Sequence, residues 1–162
     1  MTPSEIACLL DEEFGRKIKS KILDAACADP SIEVEAGSIL EVCQFLRDHP
    51  RMNFERLAAI RAREYLEPDP KAGMEPRIEL NYHLQSYTHR HWLTLQVVLP
   101  RRKHGRRGAH HEVASVGSVW NAAAWHERQV RDHCGVDFAD RTDLEQLLSG
   151  LVERRQAARQ NS

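Results

Sequence analysis

Along this chain hydrophobic residues recur at two different spacings, and each change of spacing marks a new element. Thr2-Pro3-Ser4-Glu5 reads as an N-cap, a proline at the first helical position and a capping-box glutamate. Ile6, Leu9, Leu10 and Phe14 follow at helical spacing, and Gly15 is a stop. Ser38-Ile39-Leu40-Glu41 has the same form of capping box, and Ile39, Val42, Cys43 and Leu46 make an apolar stripe that ends near His49-Pro50. Asn53 to Ala62 predicts another short helix. Further on, Ser118 caps a helix that carries the stretch Trp125 to Phe138, and Gly135 supplies the left-handed residue that ends it. A third capping box, Thr142-Asp143-Leu144-Glu145, opens a last helix with Leu144, Leu147, Leu148 and Leu151 as its stripe.

Elsewhere the period falls to two. Ser31 to Glu35 alternates as a short strand, and Ile18 and Ile22 begin another element. Arg77 to Thr88 and His91 to Leu99 read as a hairpin, with Ile78, Leu80, Tyr82 and Leu84 on one face of its first strand and Leu93, Leu95 and Val97 on one face of its second. Glu67 to Gly73 is a turn-rich loop, and a third strand runs through Val113 to Val116. With no internal repeat and no long linker, the expected fold class is α+β: a two-layer domain in which helices pack on an antiparallel-rich mixed sheet. Residues 1–152 are expected to form this one domain, and 153–162 a basic, frayed tail.

Composition narrows the function. At 162 residues and 41% hydrophobic, the chain can bury a core without disulfides or a structural metal. Its 23 basic and 24 acidic side chains nearly cancel, so no global field draws it to nucleic acid or anionic lipid. Cys8, Cys27, Cys43 and Cys134 lie far apart with no C-x-x-C spacing, which argues against a zinc ribbon, an iron–sulfur cluster or a redox dithiol and fits a reducing compartment. The N-terminal stretch lacks the basic start of a signal peptide, and no run approaches the ~20 apolar residues of a membrane span.

Candidate chemistry is thin. His89 and His91 fall on one side of an extended segment, a spacing that metal sites use, but neither a third nor a fourth ligand is visible. His110-His111-Glu112 meets the same objection, and His126 and His133 lie ~10 Å apart along a helix, too far for one metal. Arg101 to Arg107 carries six cationic or titratable groups in seven residues, near Tyr82, Tyr87 and Trp92, which allows phosphate and base contacts. The balanced total charge lacks the wider basic face of a nucleic-acid binder, and charged loops between strands commonly do no more than face water. There is no Walker loop, dinucleotide fingerprint or nucleophile elbow.

The stretch WHERQVRDHCGVDF is the most informative. Ala123, Ala124, Val130 and Cys134 share the helix face of Glu127, so this carboxylate projects along the apolar stripe and needs partners. Arg131 lies at i+4 to Glu127 and Arg128 at i−4 to Asp132, so local ion pairs are expected to satisfy both acids. Asp132 sits in the last turn against the negative end of the helix dipole, which calls for a cation elsewhere on the fold or on a partner.

These residues resemble the signature of the 30 kDa subunit family of respiratory complex I, the proton-pumping NADH-quinone oxidoreductase, approximately A-N-W-x-E-R-E-x-x-D-x-x-G-I-x-F. Trp125, Glu127, Arg128, Asp132, Gly135 and Phe138 match as they stand. SILEVCQFLRDHP is similar to the family's first core helix, IELNYHLQSYTHRHWLTLQVVLP to its hairpin and Ala114-Ser115-Val116 to its strand end, so the resemblance spans about residues 36–148. Departures fall at Gln129 and Arg131, at Asp140-Arg141-Thr142 and at Glu145 and Gln146, and the family's proline-rich C-terminal extension is not seen.

The resemblance implies a non-catalytic, assembly-supporting subunit of the peripheral arm of a proton-translocating NADH-quinone oxidoreductase or a related membrane-bound hydrogenase. It implies no cofactor on this chain; NADH, FMN, iron–sulfur clusters and quinone would lie on partner subunits. The partners would be the large quinone-module subunit and other peripheral-arm subunits, with no direct nucleic acid. Membrane contact would come only through the complex, at the cytoplasmic face of the cell membrane. Trp125, Glu127, Arg128, Asp132, Gly135 and Phe138 would order the signature helix and its partner contacts. Two other readings remain open: a stand-alone binding module that uses residues 101–107 for nucleic acid or an acidic partner, and a metal-dependent enzyme built on His89 and His91.

Overall fold

The computed structural model describes residues 1–23, 29–67, 75–100 and 111–139, with the backbone alone for His111. Residues 101–107, the helix expected from Thr142 and the tail lie outside the described residues, as do Cys27, His110 and most of the loop after Glu67. The described elements in chain order are α1 (Pro3–Phe14), β1 (Ile18–Ile22), β2 (Ser31–Val34), α2 (Ile39–Asp48), β3 (Arg56–Tyr65), β4 (Arg77–Ser86), β5 (His91–Pro100), β6 (His111–Ala114), α3 (Ala123–Cys134) and β7 (Val136–Ala139). The class is α+β, as the alternation of periods predicts.

Five strands form the main sheet in the order β1-β2-β5-β4-β3. All neighbours are antiparallel except β2 and β5, which run parallel. The β4–β5 hairpin is the longest uninterrupted register, from Arg77 opposite Pro100 to Ser86 opposite His91. Its alternating positions Ile78, Leu80, Tyr82, Leu84, Leu93, Leu95 and Val97 are all buried. They share one core with Ile6 and Leu10 of α1, Val42, Cys43 and Leu46 of α2, and Val130 of α3. Burial of each such side chain contributes about 1.5–3 kcal/mol, so the hairpin face and the helix stripes hold the two layers together.

The first capping box forms as expected. Thr2 Oγ1 accepts from the Glu5 amide at 3.3 Å, and the Glu5 carboxylate accepts from the Thr2 amide at 2.7 Å. The second does not. A 3-10 turn at Ala36–Ser38 leads into α2, and Ser38, at φ −112 and ψ 0, makes no side-chain cap. Glu41 instead takes Lys17 at 2.6 Å.

The helix expected over 53–62 is a correction: this segment is β3, the edge strand paired with β4 from Arg56 to Tyr65. A bulge between Leu57 and Ala59 inserts one residue, so Leu57 and Ile60 both face inward although they are three apart. That imitates helical spacing in the sequence, and pairing with β4 overrides the helical propensity of the alanines and arginines.

The remaining elements form a separate β-α-β unit. β6 and β7 pair in parallel, with Val113 opposite Phe138, and α3 crosses between them and packs on β3. Trp120, just before α3, is buried and donates its indole N–H to the Phe54 carbonyl at 2.9 Å, which ties this unit to the start of β3.

Candidate functional site

Ser118 does not cap α3, contrary to expectation. The N-cap is Ala122, in helical geometry with no side-chain bond, because Val116 to Ala122 are taken up by turns whose amides bond to the Val116 and Trp120 carbonyls. The end matches the expectation: Gly135 is left-handed at φ 67, ψ 26, and its amide donates to the Arg131 carbonyl at 2.9 Å. A side chain at this φ would be strained, so glycine is required where the chain turns into β7.

Ala123, Glu127 and Val130 form the inward face of α3, and Glu127 is fully buried. Its Oε1 accepts from the Val116 amide at 2.8 Å, and its Oε2 from the Ser115 hydroxyl at 2.7 Å. Ser115 Oγ in turn accepts from the Gly117 amide at 3.1 Å, and a Cβ on Gly117 would lie only 3.2 Å from that oxygen, so the loop closes tightly here. The expected Glu127–Arg131 pair is therefore replaced. Glu127 points into the fold and holds the loop that follows β6, while Arg131 is exposed and lies 3.7 Å from Asp132. Charge-assisted bonds of this kind are roughly twice as strong as neutral ones, and removing one partner strands the other.

The same carboxylate is felt across the core. Burial, reinforced by the negative charge of Glu127, holds the Cys43 thiol far above its usual range. Tyr82 is raised well above 10 by burial, then by Cys43 and Glu127. Cys43 consequently stays a protonated core side chain and supplies no thiolate nucleophile.

The six signature residues thus separate into two groups. Glu127, Gly135 and Phe138 face or shape the interior, and Phe138 is buried on β7. Trp125, Arg128 and Asp132 face outward, and Trp125 is 61% exposed. Beside them runs a groove between β3 and α3, with Ile60, Ala62 and Val130 at its floor and Gln129, Asp132 and His133 along it. Ser115, Val116 and Trp120 belong to the site's support, and sequence reasoning had given them no role there. The family resemblance marked Ala114-Ser115-Val116 only as a strand end, and the strand expected through Val113 to Val116 stops at Ala114.

His89 and His91 do come together, as stacked rings 5.7 Å apart. Their Nε2–H groups donate to the Pro50 carbonyl at 2.9 Å and the Met52 carbonyl at 2.7 Å, which commits the pair to holding the loop before β3. No group of three or more His, Cys, Asp or Glu residues with metal-binding geometry occurs among the described residues.

The described elements define an α+β domain in which α3 is fixed from within by Glu127 and presents Trp125, Arg128 and Asp132 to solvent. Comparison with known families then gives its lineage: residues 32–151 match the family described as respiratory-chain NADH dehydrogenase, 30 Kd subunit. The chain belongs to that family. Similar proteins include an NADH-quinone oxidoreductase subunit from Roseiflexus castenholzii, 32% identical over 74% of this chain and 62% of that protein. Its counterpart from Rhizobium etli, also named as an NADH-quinone oxidoreductase subunit, is 33% identical over 84% of this chain and 64% of its own length. The chain therefore spans less than two thirds of these relatives. Among solved structures, the trypsin-resistant fragment (1–134) of Nqo5 shares the fold, with a TM-score of 0.61 at 21% identity over 88% of this chain and 99% of the fragment.

Proposed function

We propose that this chain is a non-catalytic subunit of the peripheral arm of an NADH-quinone oxidoreductase or a related membrane-bound hydrogenase, where it supports assembly of the quinone-reducing module. Family membership supports the setting, and the relatives named as NADH-quinone oxidoreductase subunits supply the comparison. The observation that carries the reading is the buried Glu127 staple. It spends a carboxylate on fixing α3 to the loop after β6, and the outward residues Trp125, Arg128 and Asp132 are thereby held in one orientation.

In this reading the exposed tryptophan and the neighbouring groove dock on the large quinone-module subunit. Tryptophan and arginine are the side chains most often found to dominate such contacts. NADH, FMN, clusters and quinone are bound by partner subunits and none by this chain. No helix among the described residues is long and apolar enough to cross a membrane. In this reading association with the cytoplasmic face of the cell membrane runs through the complex.

Affinity purification of the tagged native chain from detergent-solubilised membranes, followed by mass identification, tests this. Co-purification of flavin- and cluster-bearing subunits is expected, together with loss of most of that recovery in a W125A/R128E double variant. Recovery of the unaltered chain alone from the soluble fraction would refute the proposal.

A further inference from the structure

The face of the main sheet turned away from the core carries a second set of side chains for which the docking of α3 has no use. Most alternate strand positions there are exposed or half-buried, among them Arg61, Asn81, His83, Gln96 and Trp92, while Glu79 and Thr94 are buried and Trp92 is 56% exposed. Charge on this face is not evenly spread. Four arginines crowd its β3–β4 side: Arg56, Arg61, Arg63 and Arg77. The strand carboxylate among them is Glu79, which sits opposite Arg63 and already accepts from Arg77 Nε at 2.7 Å and Gln96 Nε2 at 3.2 Å. Glu55, at the hairpin end, is engaged by the Tyr87 and Thr88 amides. The β2 side of the face carries Glu33, opposite Gln96, with Asp29 nearby, so the surface is polarised across its width.

The way the arginines are held is more telling than their number. Arg56 donates to the Tyr87 hydroxyl and lies over that ring. Arg63 donates to the Tyr65 hydroxyl at 3.3 Å, and Arg77 stacks 4.1 Å from the centroid of the same ring. For Arg56 and Arg63 the tyrosine orients the guanidinium without neutralising it, so ordering costs are met in advance while the charge stays available; Arg77 is already paired with Glu79 and serves to fix Tyr65. Arg61, between them, makes no hydrogen bond or ion pair with any described residue. Charged side chains on an edge strand do discourage strand-to-strand aggregation, but mobile lysines or arginines serve that end without tyrosine supports. A symmetric contact centred on this β3–β4 side would set arginine against arginine. Arginine and aromatic residues together form the usual composition of a protein contact surface.

We propose that the β3–β4 side of this face, on which no helix packs among the described residues, is a second docking surface, distinct from α3, which takes an acidic segment of another protein. The chain then works as a bridge, with one neighbour on its helix layer and an acidic one on its sheet.

The test uses the full chain in its native host, with the photo-reactive residue benzoylphenylalanine in place of Trp92, two strands from β3. A second strain carries the same residue in place of Trp125. The expected result is a cross-link from position 92 to a peptide of another protein dense in Asp and Glu. An R61E/R63E double variant lowers its yield about tenfold while leaving the chain's melting temperature and the cross-link from position 125 unchanged. A cross-link from position 92 to a second copy, to nucleic acid or to a peptide without acidic residues overturns the inference. So does an absent cross-link or a yield insensitive to charge reversal. Cross-linking at 125 but not at 92 leaves the α3 docking standing and removes this one; the reverse pattern does the opposite.

Discussion

At the hairpin end of the molecule, the loop leading into β3 is tied down by imidazoles. His89 and His91 donate to the carbonyls of Pro50 and Met52, and the His91 ring packs tilted against Phe54 with centroids 4.8 Å apart. Across the Trp120–Phe54 bond, the loop after β6 is tied down by a carboxylate, which accepts from Ser115 and Val116 through Glu127. Both devices join a side chain to distant backbone. One holds carbonyls with ring N–H donors and the other holds amide and hydroxyl with a carboxylate acceptor, so they should fail under different insults.

The largest expected effect is at the carboxylate. Glu127→Ala strands a buried hydroxyl and a buried amide and opens a cavity, and should cost about 3–5 kcal/mol in urea unfolding. Glu127→Gln keeps the shape and one acceptor, and should cost about 1–3 kcal/mol. A loss from E127A smaller than that from the histidine variant below would overturn the ranking of the two ends.

His91→Ala comes next, at about 2–3 kcal/mol, since a buried ring and its bond to Met52 are both lost. This end also carries a pH signature. Burial lowers the pKa of His91 from its ordinary 6.5, with the bond to Met52 opposing, and its Nδ1 is buried without a partner among the described residues. The unfolded chain therefore takes up the proton first. The stability due to neutral His91 is present in full above about pH 6.5 and is lost as the pH falls through the lower folded value. Urea midpoints measured between neutral pH and pH 5 should fall, and His91→Gln should flatten part of that slope. His83 and His126, also lowered by burial, supply the same sign elsewhere. An unchanged slope in H91Q would remove His91 from the account.

Smaller still is His89→Ala, at under about 1 kcal/mol, because that ring is exposed and its bond competes with water. Ser118→Ala should stay within about 0.5 kcal/mol, since the hydroxyl caps nothing. A cost near 1–2 kcal/mol would restore Ser118 as a cap.

The hairpin, α1, α2 and the end of α3 were legible in the sequence because each is governed by local period and local end chemistry. β3 was not, because its bulge at Leu57 to Ala59 converts an inward step of two into one of three, and only the partner strand distinguishes that from a helix turn. Ser38 and Ser118 show the converse: residues of the right kind stand near helix starts, but the preceding turns decide where the helix begins. At the site, Glu127 could be recognised as a carboxylate on an apolar stripe. Its partners could not, since they lie in a loop brought near by the β6–β7 pairing, and the sequence offered Arg131 one turn away instead.

The strand order has a consequence for synthesis. All five strands of the main sheet lie between Ile18 and Pro100, whereas α3 and the strand that completes its unit follow Ala122. A ribosome making this chain has synthesised every strand of the sheet, and with it the β3 surface on which α3 packs, before it reaches α3. The seat therefore precedes the part that sits on it, and the outward residues of α3 are made only after their own foundation.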